Sequence, residues 1–371
     1  MVNRAIKYRI YPTEEQQVLF AKTFGCCRKV WNLMLDERET VYLTEGRSCR
    51  PTPAKYKKEY PYLKEVDSLA LANEQLSLEQ AYSLYFKVKG AGHPKYKSRK
   101  GSRASYTTNN QNGTVAVDAE RGLIRLPKAG MVKAKLHRRP EKGWKLKSAT
   151  VSMTKSGSYY CSVLFEFDRE VKPVEHPEDN AIGLDYKSNG LYADSEGNVC
   201  GSPKYYRKTQ QKLAKAQRKL RHKIRGSSNY RKACRKIAKV HEHIANQRKD
   251  FLHKKSAEIA NQYDMACVES LDMKTIANKG FGNGKATLDN GYGMFLNLLE
   301  YKLADRGKVF VKIDKWYPSS QICSCCGTVH PDVKVLSVRK WTCPDCGAEL
   351  DRDVNAAVNV KKEGIREYLS A

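Results

Sequence analysis

Strand and helix signals alternating along 371 residues predict a multidomain α/β protein. Three observations carry that prediction. Two Cys-x-x-Cys-Gly knuckles, Cys323 to Gly327 and Cys343 to Gly347, stand at the separation of a metal-binding ribbon. Apart from that ribbon, residues 181–371 read as a three-strand meander, a long helical insertion, a strand, a helix, a strand and a final helix. Residues 104–167 hold short strands that suit a small β-barrel completed by an amino-terminal strand.

Composition narrows the class. A formal net charge of +28 and a pI near 9.6 exceed what solubility needs and make a polyanion, above all nucleic acid, the expected partner. No apolar run approaches the roughly 20 residues that span a bilayer. The stretch Met1 to Pro12 has no signal-peptide core, so the expected place is inside the cell, with no membrane partner. Of twelve cysteines, eight (Cys26, Cys27, Cys49, Cys161, Cys200, Cys234, Cys267, Cys325) are scattered without a disulfide framework, which fits a reducing compartment.

Taken in order, residues 3–11 alternate, with Ile6, Tyr8 and Ile10 on one face, and read as a strand closed by Pro12. Thr13 and Gln16 form a capping box for a long helix on which Phe20, Phe24, Cys27, Trp31 and Leu35 make one apolar stripe. Asp67 caps a second helix to about residue 89, so residues 13–90 read as a helical domain inserted after the first strand. From Gly90 to Arg103 glycine, proline, serine and basic residues take over, and Lys95, Lys97, Arg99 and Lys100 are candidate phosphate contacts. Strands are expected at 114–117, 123–126, 149–153 and 159–167, with a boundary at Pro173 to Pro177.

The meander follows at 181–201. Residues 204–255 hold nineteen Lys or Arg against Glu242 and Asp250, on two helical arms broken at Gly226-Ser-Ser-Asn229. Leu213, Leu220 and Ile224 on one arm and Ile237, Val240, Ile244 and Phe251 on the other give a dry seam. The outer faces leave Arg218, Arg221, Lys223, Arg225 and Arg248 for nucleic acid. A strand at 265–269, a Gly- and Asn-rich loop at 275–293 (Gly280, Gly282, Gly284, Gly291, Gly293), a helix from about 294 to 306 and a strand at 309–313 lead to the ribbon.

Asp185 ends the first strand of the meander, Glu269 ends the fourth strand, and Asp353 opens the last helix. That order matches an RNase H-type fold, in which acids from separated segments meet at one edge of a mixed sheet. Crowded carboxylates repel one another unless cations sit between them, and Mg²⁺ takes oxygen ligands. Two such ions about 4 Å apart activate a water and hold the leaving oxygen of an in-line phosphodiester displacement. Asp185, Glu269 and Asp353 are therefore the expected catalytic and Mg²⁺-binding residues, and Cys323, Cys326, Cys343 and Cys346 the ligands of one Zn²⁺. Asp351 is the alternative to Asp353, while Asp194 and Asp272 read as turn residues.

The motifs also carry a resemblance. Gly183-Leu-Asp185-Tyr-Lys-Ser-Asn-Gly-Leu, Val268-Glu269-Ser-Leu, Ser319-Ser-Gln-x-Cys323-x-x-Cys326-Gly, Trp341-Thr-Cys343-Pro-x-Cys346-Gly and Asp351-Arg-Asp353-x-Asn355-Ala-Ala-x-Asn resemble the RuvC and zinc-ribbon motifs of the TnpB (OrfB) family of bacterial insertion sequences. Tyr8-Arg-Ile-Tyr-Pro12, Tyr96-Lys-Ser-Arg99 and Arg248-Lys-Asp-Phe-Leu-His253 extend it over essentially the whole chain. The resemblance implies a RuvC triad of Asp185, Glu269 and Asp353. It implies a wedge barrel (1–12 and 104–178), a helical recognition domain with its basic linker (13–103), a nuclease (179–318 and 348–371, hairpin 204–260) and a ribbon (319–347).

The activity implied is cleavage of double-stranded DNA guided by an RNA from the element's own end, as in type V CRISPR effectors. It would act in the bacterial cytoplasm, nucleoid-associated when DNA-bound. A short flanking motif would be read between the recognition helices and the wedge, where Thr107, Thr108, Asn109 and Asn110 offer donors and acceptors. Two other readings stand beside this one. A strand-joining transposase finds no clear HUH and tyrosine pair, and a cleavage-silent regulator is opposed by three intact carboxylates.

Overall fold

A computed structural model describes residues 1–277, 284–335 and 337–371. The chain forms two compact units, Met1–Arg169 and Glu170–Ala371, divided just ahead of the proline-rich boundary.

The first unit holds β1 (Val2–Tyr11), α1 (Glu14–Glu45), α2 (Ser68–Lys87), β2 (Ala104–Asn109), β3 (Ala116–Asp118), β4 (Leu123–Leu126), β5 (Gly130–Lys135), β6 (Lys145–Met153) and β7 (Tyr159–Phe167). Its strands pair antiparallel in the order β2-β6-β7-β1-β5-β4-β3. The expected barrel is thus an open sheet, since no ladder among the described residues joins β2 to β3. β1 follows its pattern, with Ile6, Tyr8 and Ile10 buried. The Thr13 hydroxyl accepts from the Gln16 amide at 3.3 Å and Gln16 Oε1 from the Thr13 amide at 3.1 Å, which starts α1 as its capping box predicts. The stripe of α1 lands on the sheet, where the Phe20 ring lies 6.2 Å from Tyr106 and 6.0 Å from Tyr159. Helices and sheet share one core, so the helices are not a domain apart.

Thr108 points with Tyr106 into that core, and its hydroxyl is buried with no hydrogen-bond partner among the described residues. A buried unpaired hydroxyl costs free energy that an apolar isostere does not. Thr108→Val is expected to raise the unfolding free energy by about 1 kcal/mol in urea titrations.

The second unit holds β8 (Ala181–Tyr186), β9 (Gly190–Asp194), β10 (Val199–Gly201), α3 (Tyr205–Arg221), α4 (Ser228–Gln262), β11 (Met265–Glu269), α5 (Met273–Ile276), α6 (Gly284–Asn290), α7 (Tyr292–Ala304), β12 (Val309–Ile313), β13 (Lys340–Thr342), β14 (Glu349–Asp351) and α8 (Arg352–Leu369). The main sheet runs β10-β9-β8-β11-β12, antiparallel through the meander and parallel from β8 to β12. α3 and α4 form the basic hairpin, with Leu213 and Ile244 in its seam, but Ile224 lies in the turn and is exposed. Residues 284–290, expected as loop, are helical, while Gly280 and Gly282 lie outside the described residues. The reason for the helix is tertiary. Asp289 is buried and accepts from the Tyr206 and Arg207 amides at 3.0 and 3.3 Å, capping α3, whose own Lys204 gives no side-chain cap.

α8 lies directly on β8 and β11. A Cβ at Gly183 would run into the Ala357 carbonyl and come within 2.7 Å of the Lys361 amide, and one at Gly364 would come within 2.6 Å of Cys267 Cβ. Neither glycine position has room for a side chain of its own. Gly183→Ala should therefore push α8 outward and cost about 1–3 kcal/mol of stability, read as a lowered urea midpoint.

Candidate active site and metal-binding ribbon

β8 and β11 are parallel neighbours with Val268 opposite Leu184, so Asp185 and Glu269 leave the sheet at the same edge. Asp353 reaches that edge from the first turn of α8. All three acids line one cavity of about 610 Å³, together with Lys187, Ser319, Arg339 and Arg352. Burial raises the Asp185 carboxyl well above the ordinary carboxylate range, Glu269 and Asp353 add to the shift, and Arg352 and Lys187 oppose it. Burial raises Glu269 too, against the Ser319 hydroxyl that donates to its Oε1. Lys187 Nζ donates to Asp353 Oδ2, and Arg339 Nη1 lies 3.5 Å from Oδ1. Acids that share one cavity repel one another, and two side-chain cations lie against Asp353. The donor set, three carboxylates in a partly enclosed space, fits hard divalent cations.

Asp351 has a different task. Its Oδ1 accepts from the Asp353 and Val354 amides at 3.0 and 3.2 Å, which makes it the N-cap of α8. Asp351→Ala is expected to lower stability by about 1 kcal/mol while cleavage persists, in contrast to substitution of Asp353.

The four predicted ribbon cysteines bring their sulfurs within 4.8 Å of one another. The knuckles close through the Gly327 amide on the Cys323 carbonyl and the Gly347 amide on the Cys343 carbonyl, each at 2.9 Å, with φ of +83° and +73° at the two glycines. That left-handed backbone is why each knuckle ends in glycine. Cys325 is exposed and stands outside the cluster. Four soft thiolates in this arrangement fit zinc.

Several residues that sequence reasoning missed tie the ribbon to the acids. Asn355 Nδ2 donates to the Ile322 carbonyl at 2.7 Å and its Oδ1 accepts from the Ser324 amide at 2.8 Å. Asn359 Nδ2 donates to the Ser319 and Ile322 carbonyls at 2.8 and 2.7 Å. Spaced by one helical turn, both amides are buried on the face of α8 that meets the first knuckle. Ser319, held in this way, carries the hydroxyl on Glu269. The signal was present in Asn355-Ala-Ala-x-Asn359, a pair of polar residues at core spacing. His330 was also missed, with Nε2 3.4 Å from Cys343 Sγ and 3.2 Å from Asp345.

Of the residues expected to meet nucleic acid, Lys95, Arg99, Lys100, Arg218, Arg221, Lys223 and Arg225 are exposed. Lys97 is committed elsewhere, 2.6 Å from Glu74 Oε2 and 3.7 Å from the centre of a Trp31 ring. Arg248 is half-buried 3.4 Å from Asp289. Thr108 is corrected outright, because a hydroxyl inside the core cannot read a base edge; Asn109, half-buried, faces the other way.

Comparisons with known proteins span most of the chain. Family models described as "Helix-turn-helix domain", "Probable transposase" of the OrfB type and "Cas12f1-like, TNB domain" match residues 1–47, 162–279 and 292–360. The first of these spans one strand and one long helix here. A "Putative RNA-guided DNA endonuclease" of Streptomyces pristinaespiralis is 37% identical over 98% of this chain and 90% of its own. The "Putative RNA-guided DNA endonuclease InsQ" of Escherichia coli K12 is 29% identical over 97% and 92%. In fold, the chain is similar to Cas12f1 as solved with sgRNA and target DNA, at a TM-score of 0.57 and 13% identity over 97% and 98% of the two chains. Identity of 37% across nearly the full length of the Streptomyces protein, together with the OrfB family match, means that the chain belongs to the TnpB (OrfB) family of insertion-sequence proteins.

Proposed function

We propose that the chain is a transposon-encoded, RNA-guided DNA endonuclease built on an RNase H-type, RuvC-like core. The observation that carries this reading is the convergence of Asp185, Glu269 and Asp353 in one cavity of a unit that also bears the basic hairpin. The names of the two relatives support DNA as the target and RNA as the guide. Asp185, Glu269 and Asp353 would hold two Mg²⁺ ions through their oxygens, and Cys323, Cys326, Cys343 and Cys346 one Zn²⁺. Bound Mg²⁺ supplies a water of lowered pKa and charge for the leaving oxygen of the phosphodiester.

The chain's own part is placement. Ser319 orients Glu269, Asn359 holds the Ser319 backbone, and the Asp351 cap fixes the turn that carries Asp353. The exposed lysines and arginines of the hairpin and linker grip backbone phosphates, a salt-dependent and sequence-independent contact. A guide from the element's end would supply sequence by base pairing, and a short duplex motif would be read by the first unit, the wedge and recognition regions. A strand-joining transposase and a silent regulator gain no support from these observations.

The test is to purify the protein from cells that also transcribe the element's end. A discrete RNA should copurify, and the complex should cut matched double-stranded DNA in Mg²⁺ when the flanking motif is present. Cleavage without RNA would overturn the guidance, and intact DNA in both Mg²⁺ and Mn²⁺ would overturn the nuclease.

A further inference from the structure

Among the cations around the acid cavity, one differs from the rest. Lys187 and Arg339 both contact Asp353. Arg352 lines the same cavity, is 8% exposed, and takes part in no ion pair among the described residues. Its Nε is buried without a partner among the described residues. Among the described residues its Nη2 reaches only Ser320 Oγ and the Lys334 carbonyl, each at 3.5 Å, the outer limit of a hydrogen bond. A guanidinium carries five donors in a planar fork, and burying that charge with so few of them used is costly. Such a group is a receptor awaiting an anion. The cavity needs one for its substrate, because three carboxylates otherwise repel a phosphodiester.

We infer that Arg352 is a catalytic residue that binds the non-bridging oxygens of the phosphodiester to be cut, by charge-assisted bonds from its unspent donors. The inference rests on the nuclease reading above. Position favours it further. Arg352 is the first residue of an 18-residue helix, at the end whose dipole favours negative charge. It is also the link between the cap, Asp351, and the acid, Asp353, so phosphate and acid are registered by adjacent residues. Bidentate recognition of phosphate distinguishes Arg from Lys, so the conservative change is informative.

The experiment uses the full-length protein with its copurified RNA and a target whose cut position the wild type has mapped. Arg352→Gly is expected to lower the single-turnover rate roughly a hundredfold, Arg352→Lys to recover little, and added guanidinium ion to restore Arg352→Gly at least about tenfold. A second measurement avoids turnover. In an Asp185→Asn background, replacing the mapped phosphate by a neutral methylphosphonate should weaken binding roughly tenfold with Arg352 present and not at all with Arg352→Gly. Rescue by guanidinium together with loss of the methylphosphonate effect supports the contact. Equal rates in wild type and Arg352→Gly overturn it, as does a lowered melting temperature with no rescue and an undiminished methylphosphonate effect, which makes Arg352 a strut for the ribbon. A wild type that cuts nothing overturns the nuclease reading instead.

Discussion

Asp185→Asn is expected to leave nucleic-acid binding unchanged and to reduce cleavage about a thousandfold or more. The amide keeps the shape of the side chain, so the packing of β8 against α8 survives. What disappears is one of the three carboxylates proposed to hold Mg²⁺, and with it several kcal/mol of transition-state stabilisation, each 1.4 kcal/mol of which is worth about tenfold in rate. Band-shift and cleavage assays on the same preparation separate the two properties, and wild-type cleavage by the variant would place the chemistry elsewhere. The substitution also carries a pH signature without divalent metal. Burial, Glu269 and Asp353 raise the folded-state pKa of Asp185 above its unfolded value, so its ionisation destabilises the fold as pH rises. Asp185→Asn should therefore be the more stable protein at neutral pH, with the advantage shrinking as pH falls from the raised folded-state pKa toward about 4, the unfolded value, and absent below it.

Removing zinc is expected to have the second large effect. Structural zinc contributes on the order of 10 kcal/mol of apparent binding free energy to small ribbons, more than the few hydrogen bonds of two knuckles supply. Chelation or Cys346→Ser should unfold residues 319–347, and Asn355 and Asn359 would lose the Ser319 and Ile322 carbonyls they hold. Ser319 would then release Glu269, so cleavage should fall to near background although no cysteine lines the acid cavity. Elemental analysis should find one zinc per active chain, and full activity in zinc-free protein would refute the link. Binding by the hairpin should persist, since α3 and α4 pack against each other, with Leu213 and Ile244 buried, and carry none of the four ribbon cysteines.

The sequence made the acids and the ribbon legible because each sits at a local signal. Asp185 and Glu269 close apolar strand runs, Asp353 follows a cap, and the cysteines have ligand spacing. Asn355 and Asn359 show in the sequence only as polar residues at core spacing, and their partners, backbone groups of the ribbon, leave no pattern of their own, nor does the remote acid that Ser319 meets. Thr108 misled for the reverse reason. Its polar neighbourhood reads as surface, while strand alternation turns it inward beside Tyr106. β5 was missed because Lys133 and Lys135 mask the inward pair Val132 and Ala134. The helix at 284–290 depends on Asp289 capping a distant element, a tertiary override of its glycine and asparagine content.

Gly183 leaves peptide backbone of β8 against peptide backbone of α8, and Gly364 lets the helix settle on the Cys267 side chain. The spacing of Asp185 and Asp353 is accordingly a property of main-chain contact, and mutational drift cannot retune it by exchanging one side-chain volume for another. Divergence in this protein has to proceed around that contact, through loops, outer helix faces and inserted segments, or else by sliding the whole of α8 along β8. An engineer faces the same constraint. Reach and partner choice are open to redesign in the hairpin and linker, whereas the acid spacing behaves as a fixed gauge that a library of point substitutions will break before it adjusts.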